Sequence, residues 1–168
     1  MSAMFSIGVA AWSKLSQRAM LTGRCSLHVT QIKLYDKDIQ SSSFFTQNKK
    51  YFMDVKESAK GKYLKISELS RGKRFTLMVD GSDVAKFQSS LEESSLRGFS
   101  NFTTKNNIEY VLEKRENTGG EFFQCLEKHP DGKIHRLIIA GESLGSVQNI
   151  LNEFSKDHFQ PAPPDSKN

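Results

Sequence analysis

Tyr51-Phe-Met-Asp-Val-Lys-Glu-Ser-Ala-Lys-Gly-Lys-Tyr-Leu-Lys-Ile66 contains two runs of alternating apolar and polar residues, separated by a short polar loop that holds Gly61. This pattern predicts an antiparallel β-hairpin with one buried face and one face open to water. Successive side chains of a strand point to opposite faces. The buried face should therefore carry Met53, Val55, Leu64 and Ile66. The open face should carry Asp54, Lys56, Tyr63 and Lys65.

The open face combines an aromatic ring with basic side chains. An aromatic ring on a sheet can stack an unpaired base while neighbouring ammonium groups meet phosphates. The same residues also serve as ordinary solubilising groups on exposed strands, so composition alone leaves both interpretations open.

Residues 51–66 closely resemble the repeat signature of the Pur-alpha family of single-stranded nucleic-acid-binding proteins. In that signature an aromatic run, Asp, Lys, a Gly turn and a basic-aromatic-Leu-basic strand follow in this order. The resemblance continues into Arg74-Phe-Thr-Leu-Met-Val79 and the helical stretch after it. It covers roughly residues 48–158.

The second half of the chain repeats the first. Shifted by about 59 residues, Tyr110-Val-Leu-Glu113 lies on Tyr51-Phe-Met-Asp54, and the following positions also match: Arg115 on Lys56, Asn117 on Ser58, Gly120 on Gly61 and Phe122 on Tyr63. Shifted by about 60, residues 137–144 lie on residues 77–84. A period of this length is too long for a solenoid, so two units should share one core.

The pattern predicts an α+β fold in which each unit has at least three clear strands followed by a helix. After the hairpin we expect a third strand from Phe75 to Val79, a helix beginning near Gly81 and a linker from Ser94 to about Asn107. The resemblance implies two ββββα-type PUR repeats, residues 47–96 and 106–158, forming one intramolecular PUR domain over residues 46–158. Its general shape would be Whirly-like, similar also to mitochondrial guide-RNA-binding folds.

The resemblance also implies which residues bind nucleic acid. In the first repeat they are Lys56, Ser58, Lys60 and the stacking aromatic Tyr63, joined on the open face by Lys65. In the second repeat they are Arg115, Asn117 and Phe122. Gly119 and Glu121 replace polar and basic residues of the family pattern, so the second surface should attract phosphate less strongly.

The positive net charge of the chain favours a negatively charged partner. The net charge is +5 and the isoelectric point about 9.2, and residues 49–74 carry nine Lys/Arg against three acidic residues. We therefore expect single-stranded RNA or DNA as the partner, with RNA slightly favoured and purine-rich strands suggested by the family. No run approaches the roughly 18–20 apolar residues of a membrane span, so we expect no integral membrane association.

The N-terminal residues have the composition of a mitochondrial transit peptide. Residues 1–35 contain no Asp or Glu but several basic residues and serines. We assign residues 1–45 to this leader, which places the protein in the mitochondrial matrix; a merely disordered basic N-terminus is the alternative. The Pro-rich residues 159–168 are expected to be a disordered tail.

Catalysis finds no support in the sequence. No His, Cys or carboxylate spacing fits a metal site, and no phosphate-binding loop or nucleophile motif occurs, so we expect neither an enzyme nor a cofactor. Cys125 falls on an apolar alternation and should be buried. The alternative function is a non-catalytic scaffold subunit of a mitochondrial ribonucleoprotein complex. Partners would then be mitochondrial ribonucleoprotein components or further copies of the chain, because sheet edges remain available.

Overall fold

Two four-stranded antiparallel sheets, each followed by a helix, make up the fold in a computed structural model that describes residues 36–46 and 49–160. The first repeat contains β1 (Lys37–Thr46), β2 (Lys49–Ser58), β3 (Gly61–Ser70), β4 (Lys73–Asp80) and α1 (Val84–Arg97). The second contains β5 (Phe99–Thr103), β6 (Glu109–Asn117), β7 (Gly120–Lys128), β8 (Ile134–Ala140) and α2 (Leu144–His158). The strand orders are β1-β2-β3-β4 and β5-β6-β7-β8. The predicted α+β fold of two ββββα repeats is confirmed.

The register of the first hairpin follows the sequence alternation. Met53 pairs with Ile66 and Val55 with Leu64, and all four side chains are fully buried. The two strands pair up to Ser58 and Gly61, leaving a two-residue turn. The predicted division of the hairpin into a core face and an open face is therefore confirmed.

One hydrophobic core is shared by both repeats. Helix α1 packs mainly against β5 and β6 of the second sheet, whereas α2 contacts β2 of the first. Apolar residues of both sheets and both helices meet there, among them Leu77, Phe87, Leu112, Leu137, Val147 and Phe154. A single four-stranded sheet with one helix would leave part of its apolar face exposed, and the exchange of helices removes that exposure.

Side chains of the second repeat cap the edge strand β4 of the first. The Met78 N–H donates to Glu127 Oε2 over 3.2 Å, and the Met78 carbonyl accepts a 2.6 Å bond from the Tyr110 hydroxyl. Glu127 is 3% exposed, and His129 Nε2 lies 2.8 Å from its Oε1 without the alignment of a hydrogen bond. Because unpaired backbone groups are costly to bury, these side chains replace a neighbouring strand.

The first repeat caps β8 in the equivalent way. The Ile138 N–H donates to Glu68 Oε2 over 3.0 Å, and its carbonyl accepts from the Tyr51 hydroxyl over 3.1 Å. The Tyr51 oxygen also accepts the Ala140 N–H over 3.1 Å. Lys49 Nζ lies 2.7 Å from Glu68 Oε1 and balances its buried charge. The two repeats are therefore joined by reciprocal side-chain to backbone hydrogen bonds.

The first strand of each repeat departs from the sequence analysis. The expected start of the domain at residue 46 is wrong, because β1 begins at Lys37 within the segment assigned to the leader. The expected linker after Ser94 is also wrong: α1 continues to Arg97, Gly98 ends it at φ 86°, and β5 follows at once. Both strands lack fully buried apolar residues, which removes the alternation that identifies a strand.

The predicted transit peptide and the predicted C-terminal tail lie mostly outside the residues that the structure describes. The transit peptide predicted for the N-terminus lies outside the described residues except at 36–45, and the tail predicted from residue 159 lies outside them from residue 161 onward. Phe159 is not part of a detached tail, since its ring packs against the core.

Candidate nucleic-acid interface

The two hairpin turns that carry the predicted site are closed in the same way. Ser58 Oγ accepts the Lys60 N–H and donates to the Gly61 carbonyl, each over 3.2 Å. Asn117 Oδ1 accepts the Gly119 N–H over 2.8 Å. Short polar side chains commonly close turns by such bonds. Ser58 and Asn117, which the sequence predicts as nucleic-acid contacts, thus also hold the turns in shape.

Beside each turn, a basic side chain lies across the strand pair from an aromatic ring. Lys56 pairs with Tyr63 in the first sheet, and Arg115 pairs with Phe122 in the second. Directly opposed residues of an antiparallel pair have their Cβ atoms about 5 Å apart on one face. The structure therefore brings together the cation and the aromatic predicted for each repeat, one pair on each sheet.

Both cations are engaged in ion pairs. Lys56 Nζ lies 2.5 Å from Asp38 Oδ1, and this bond raises the pKa of Lys56 above its ordinary value. Arg115 reaches Glu113 Oε2 through Nε at 2.8 Å and Nη2 at 2.5 Å. The Lys56 side chain is 18% exposed, but its partner Asp38 is 66% exposed, and Arg115 is 52% exposed. Ion pairs with such access to water contribute only about 0–1 kcal/mol, so a phosphate can displace the carboxylate at small cost.

A broad cleft opens beside Tyr63. It has a volume of about 800 Å³ and lies between the first hairpin turn, the beginning of the helical segment after β4 and the end of α2. Its lining includes Ser58, Lys60, Lys62, Tyr63, Ser82, Asn106 and Phe159. Lys60 and Lys62 are exposed and Tyr63 is half-buried. The cleft can admit a base beside the Tyr63 ring while exposed ammonium groups stand at its rim.

An equivalent cleft of about 510 Å³ lies beside Phe122 in the second repeat. Its lining includes Lys49, Asn117, Gly119, Glu121, Phe122, Arg136 and Glu142. Gly119 and Glu121 occupy the positions that Lys60 and Lys62 hold in the first cleft. The second cleft therefore combines two carboxylates, Glu121 and Glu142, with its cations, whereas the lining of the first cleft includes Asp80.

A glycine sets the distance between helix start and hairpin in each cleft. A Cβ atom at Gly81 would lie 2.6 Å from the Lys62 carbonyl oxygen, and one at Gly141 would lie 2.9 Å from that of Glu121. Only glycine allows such a close backbone approach. It places the first turn of each helical segment directly beside the strand that carries Tyr63 or Phe122.

The basic charge of the first sheet is not concentrated at the hairpin turn, where the sequence predicts it. Around the first turn, four lysines stand near four acidic residues: Lys56, Lys60, Lys62 and Lys65 with Asp38, Asp54, Glu57 and Asp80. Lys65 pairs across the strands with Asp54 and with exposed Met78. The positive excess of residues 49–74 instead lies at the opposite end of the sheet. The sequence did not indicate that Asp38 and Asp80 lie near this turn. Only the pairing of β1 with β2 and of β4 with β3 brings them there.

Metal-binding and membrane-spanning features do not occur in the part of the chain that the structure describes. Within residues 36–46 and 49–160, no three His, Cys, Asp or Glu side chains are grouped as metal ligands. No helix in these ranges is long and apolar enough to span a membrane. Cys125 is 1% exposed, and burial raises the pKa of its thiol to about 12, which confirms it as a core residue.

Comparison with known proteins agrees with the observed fold. The sequence profile of the family described as "PurA ssDNA and RNA-binding protein" matches residues 36–104, which span the first repeat and strand β5 of the second. Over this segment the chain is similar to the PUR-repeat family. The match begins at residue 36 and β1 begins at Lys37, so both support a domain that starts before the predicted residue 46.

Two curated proteins to which this chain is similar are the transcriptional activator protein Pur-alpha of Mus musculus and that of Homo sapiens. Each is 26% identical over 138 residues, an alignment that covers 67% of this chain and 39% of the relative. The chain thus spans well under half of their length. The family is one that binds nucleic acid.

Proposed function

We propose that this protein binds single-stranded nucleic acid in the clefts beside Tyr63 and Phe122, with RNA preferred over DNA. The observation that carries the proposal is the cross-strand pair of Lys56 and Tyr63, of which Tyr63 lines the 800 Å³ cleft. A base stacked on the ring contributes on the order of 1–3 kcal/mol whatever its identity, because every base has a π-face.

Phosphate contacts would come from lysines at the cleft. Lys56 exchanges Asp38 for a phosphate oxygen, and exposed Lys60 and Lys62 neutralise neighbouring phosphates. Each such contact on a single strand contributes about 0.7 to the slope of log affinity against log salt. Ser82 and Asn106 line the same cleft and offer a hydroxyl and an amide to a ribose 2′-hydroxyl, which supports RNA over DNA.

Fluorescence anisotropy of the full chain tests the proposal. Single-stranded and duplex RNA and DNA probes, both purine-rich and pyrimidine-rich, are titrated over a salt series. We expect selective, salt-sensitive binding of single strands. The Tyr63→Ala/Phe122→Ala double variant should weaken it by at least about tenfold, since two stacking contacts are removed.

The matched control is Phe75→Ala, because Phe75 is also an exposed aromatic of the first sheet but lies on the face opposite to Tyr63. Its affinity should equal that of the wild type. Unchanged binding by the folded double variant would remove the stacking mechanism. Equal affinity for duplex and single strands would remove the single-strand specificity.

A second candidate is a scaffold subunit that holds other proteins of a mitochondrial ribonucleoprotein. The observation in its favour is that the predicted cations are already paired within the chain, Lys56 with Asp38 and Arg115 with Glu113. The anisotropy series separates the two functions. A folded full-length protein that binds no probe even at low salt would favour the scaffold.

The proposed setting is mitochondrial RNA metabolism in the matrix, and it rests on the basic, acid-free composition of residues 1–35. A fluorescent protein fused to the C-terminus of the full chain should enter mitochondria. Replacing Lys14, Arg18 and Arg24 by Gln should leave it outside. Self-association is proposed through β1, which is an edge strand among the strands that the structure describes, with light scattering as the measurement.

A further inference from the structure

The open face of the first sheet carries a second group of aromatic and basic side chains at the end away from Tyr63. Lys50 Nζ lies 4.6 Å from the centre of the Phe45 ring and 4.7 Å from that of the Phe52 ring. The Arg74 guanidinium carbon lies 4.5 Å from the centre of the Phe52 ring. These four residues alternate aromatic ring and cation across β1, β2 and β4, and we call them the aromatic-cation ladder.

Both ends of the ladder are accessible. Phe45 is 74% exposed, and Arg74 is exposed, whereas Lys50 and Phe52 are half-buried between them. Packing on Phe52 holds the planar guanidinium of Arg74 against the sheet. Nucleic-acid bases stack on aromatic rings and on guanidinium planes alike. The ladder therefore offers two flat surfaces, the Phe45 ring with the Lys50 ammonium beside it and the Arg74 guanidinium, which is itself a cation.

The charge around the ladder is not balanced. Five basic residues lie at this end of the first sheet: Lys50 and Arg74 on the face of the ladder, Lys49 and Lys73 on the opposite face, and Arg71 in the turn between β3 and β4. Within residues 43–52 and 67–76 the one acidic residue is Glu68, which is buried and paired with Lys49. Phosphates approaching the ladder would meet an excess of positive charge that the first turn lacks.

The second repeat forms the same sheet without a ladder. At the equivalent register positions Thr103 faces Glu109, Val111 replaces Phe52 and Ile134 replaces Arg74. The ladder is therefore not needed to build a four-stranded PUR sheet. A largely exposed set of aromatic and basic groups, without which the second sheet still forms, indicates a role in binding.

We propose that the ladder is a second stacking site for the same single strand that enters the Tyr63 cleft. The inference rests on the proposed function and extends it. Phe52 and Lys56 lie four residues apart on one face of β2, which is about 13 Å at the rise of a strand. A strand of several nucleotides would run along β2, with bases on Tyr63 at one end and on Phe45 or Arg74 at the other.

Two variants of the full chain test the ladder with a single-stranded RNA probe of about 12 nucleotides, within the usual range of single-strand site sizes. Phe45→Ala removes one stacking surface and should weaken binding about tenfold. Arg74→Lys keeps the charge but removes the planar group, so it should weaken binding about fivefold and leave the salt slope unchanged. Phe75→Ala is the control, since it removes a neighbouring exposed ring from the opposite face.

A direct measurement of stacking uses Phe45→Trp in a Trp12→Phe background, which leaves a single tryptophan on the ladder. Its fluorescence should be quenched when the probe binds. Wild-type affinity in Phe45→Ala and Arg74→Lys without quenching, while Tyr63→Ala is impaired, would overturn the ladder and leave the proposed function intact. If Tyr63→Ala also binds normally, both fail. A change in oligomeric state with unchanged RNA affinity would make the ladder a self-association surface instead.

Discussion

Gly81 shows how a single residue fixes the geometry of the first cleft. Its absent side chain lets the helical segment approach the Lys62 carbonyl, where a Cβ would stand at 2.6 Å, whereas a methyl group added at Gly145 in α2 would have nothing within 4 Å. Backbone cannot give way as a flexible side chain can. The two glycines therefore have opposite consequences for stability.

We predict that Gly81→Ala destabilises the fold by about 1–3 kcal/mol, because the added methyl overlaps backbone. Gly145→Ala should stabilise it by up to about 1 kcal/mol through helix propensity. Urea unfolding followed by circular dichroism measures both. Equal effects of the two substitutions would contradict the close approach at Gly81.

Cys125 provides a second prediction at this scale. Burial raises its pKa to about 12, so the thiol remains protonated, and thus unreactive, at every pH below that value while the protein is folded. Alkylation at pH 8 should modify it only after unfolding in denaturant. Reaction with the native protein, followed by mass spectrometry of the peptide that contains residue 125, would show that β7 opens readily. The same reaction in denaturant gives the reference for complete modification of Cys125.

At the scale of elements, the sequence predicts those strands whose two faces differ. β2, β3 and β4 carry fully buried apolar residues at alternate positions, and α1 carries Val84, Phe87 and Leu91 on one face. β1 alternates only between exposed and half-buried residues, and its Ser41-Ser42-Ser43 run hides the period. Because β1 was not predicted, the positions of Phe45 and Asp38 were not predicted either. The pairing of β1 with β2 places Phe45 beside Lys50 in the ladder and Asp38 beside Lys56.

The caps on β4 and β8 give a prediction about how the elements hold together. The Tyr51 hydroxyl makes two backbone hydrogen bonds, to Ile138 and Ala140, whereas the Tyr110 hydroxyl makes one, to Met78. Removing a hydroxyl leaves its buried partners without a hydrogen bond. Tyr51→Phe should therefore cost about 1–3 kcal/mol and Tyr110→Phe about 0.5–1.5 kcal/mol. Chemical denaturation measures both, and a larger cost for Tyr110→Phe would show that the second bond of Tyr51 contributes nothing.

At the scale of the whole molecule, duplication has produced two similar clefts with different charges. Lys60 and Lys62 of the first repeat stand where the second has Gly119 and Glu121. Hydrogen bonds from each repeat to the other's edge strand keep both sheets in one domain. The hydrogen bonds that join the repeats can thus be kept while the two binding surfaces diverge in affinity. The sequence alone indicated this divergence, because the aligned residues differ in charge.

The unequal clefts lead to the last prediction. Tyr63→Ala should weaken single-strand binding about tenfold, and Phe122→Ala less than about threefold, because phosphates near Phe122 meet Glu121 and Glu142. Glu121→Lys should tighten binding and steepen the salt dependence by about 0.7. Glu92→Lys, on the exposed side of α1, adds the same net charge away from both clefts and should change neither. If Glu92→Lys tightens binding as much as Glu121→Lys, overall charge rather than the second cleft governs affinity.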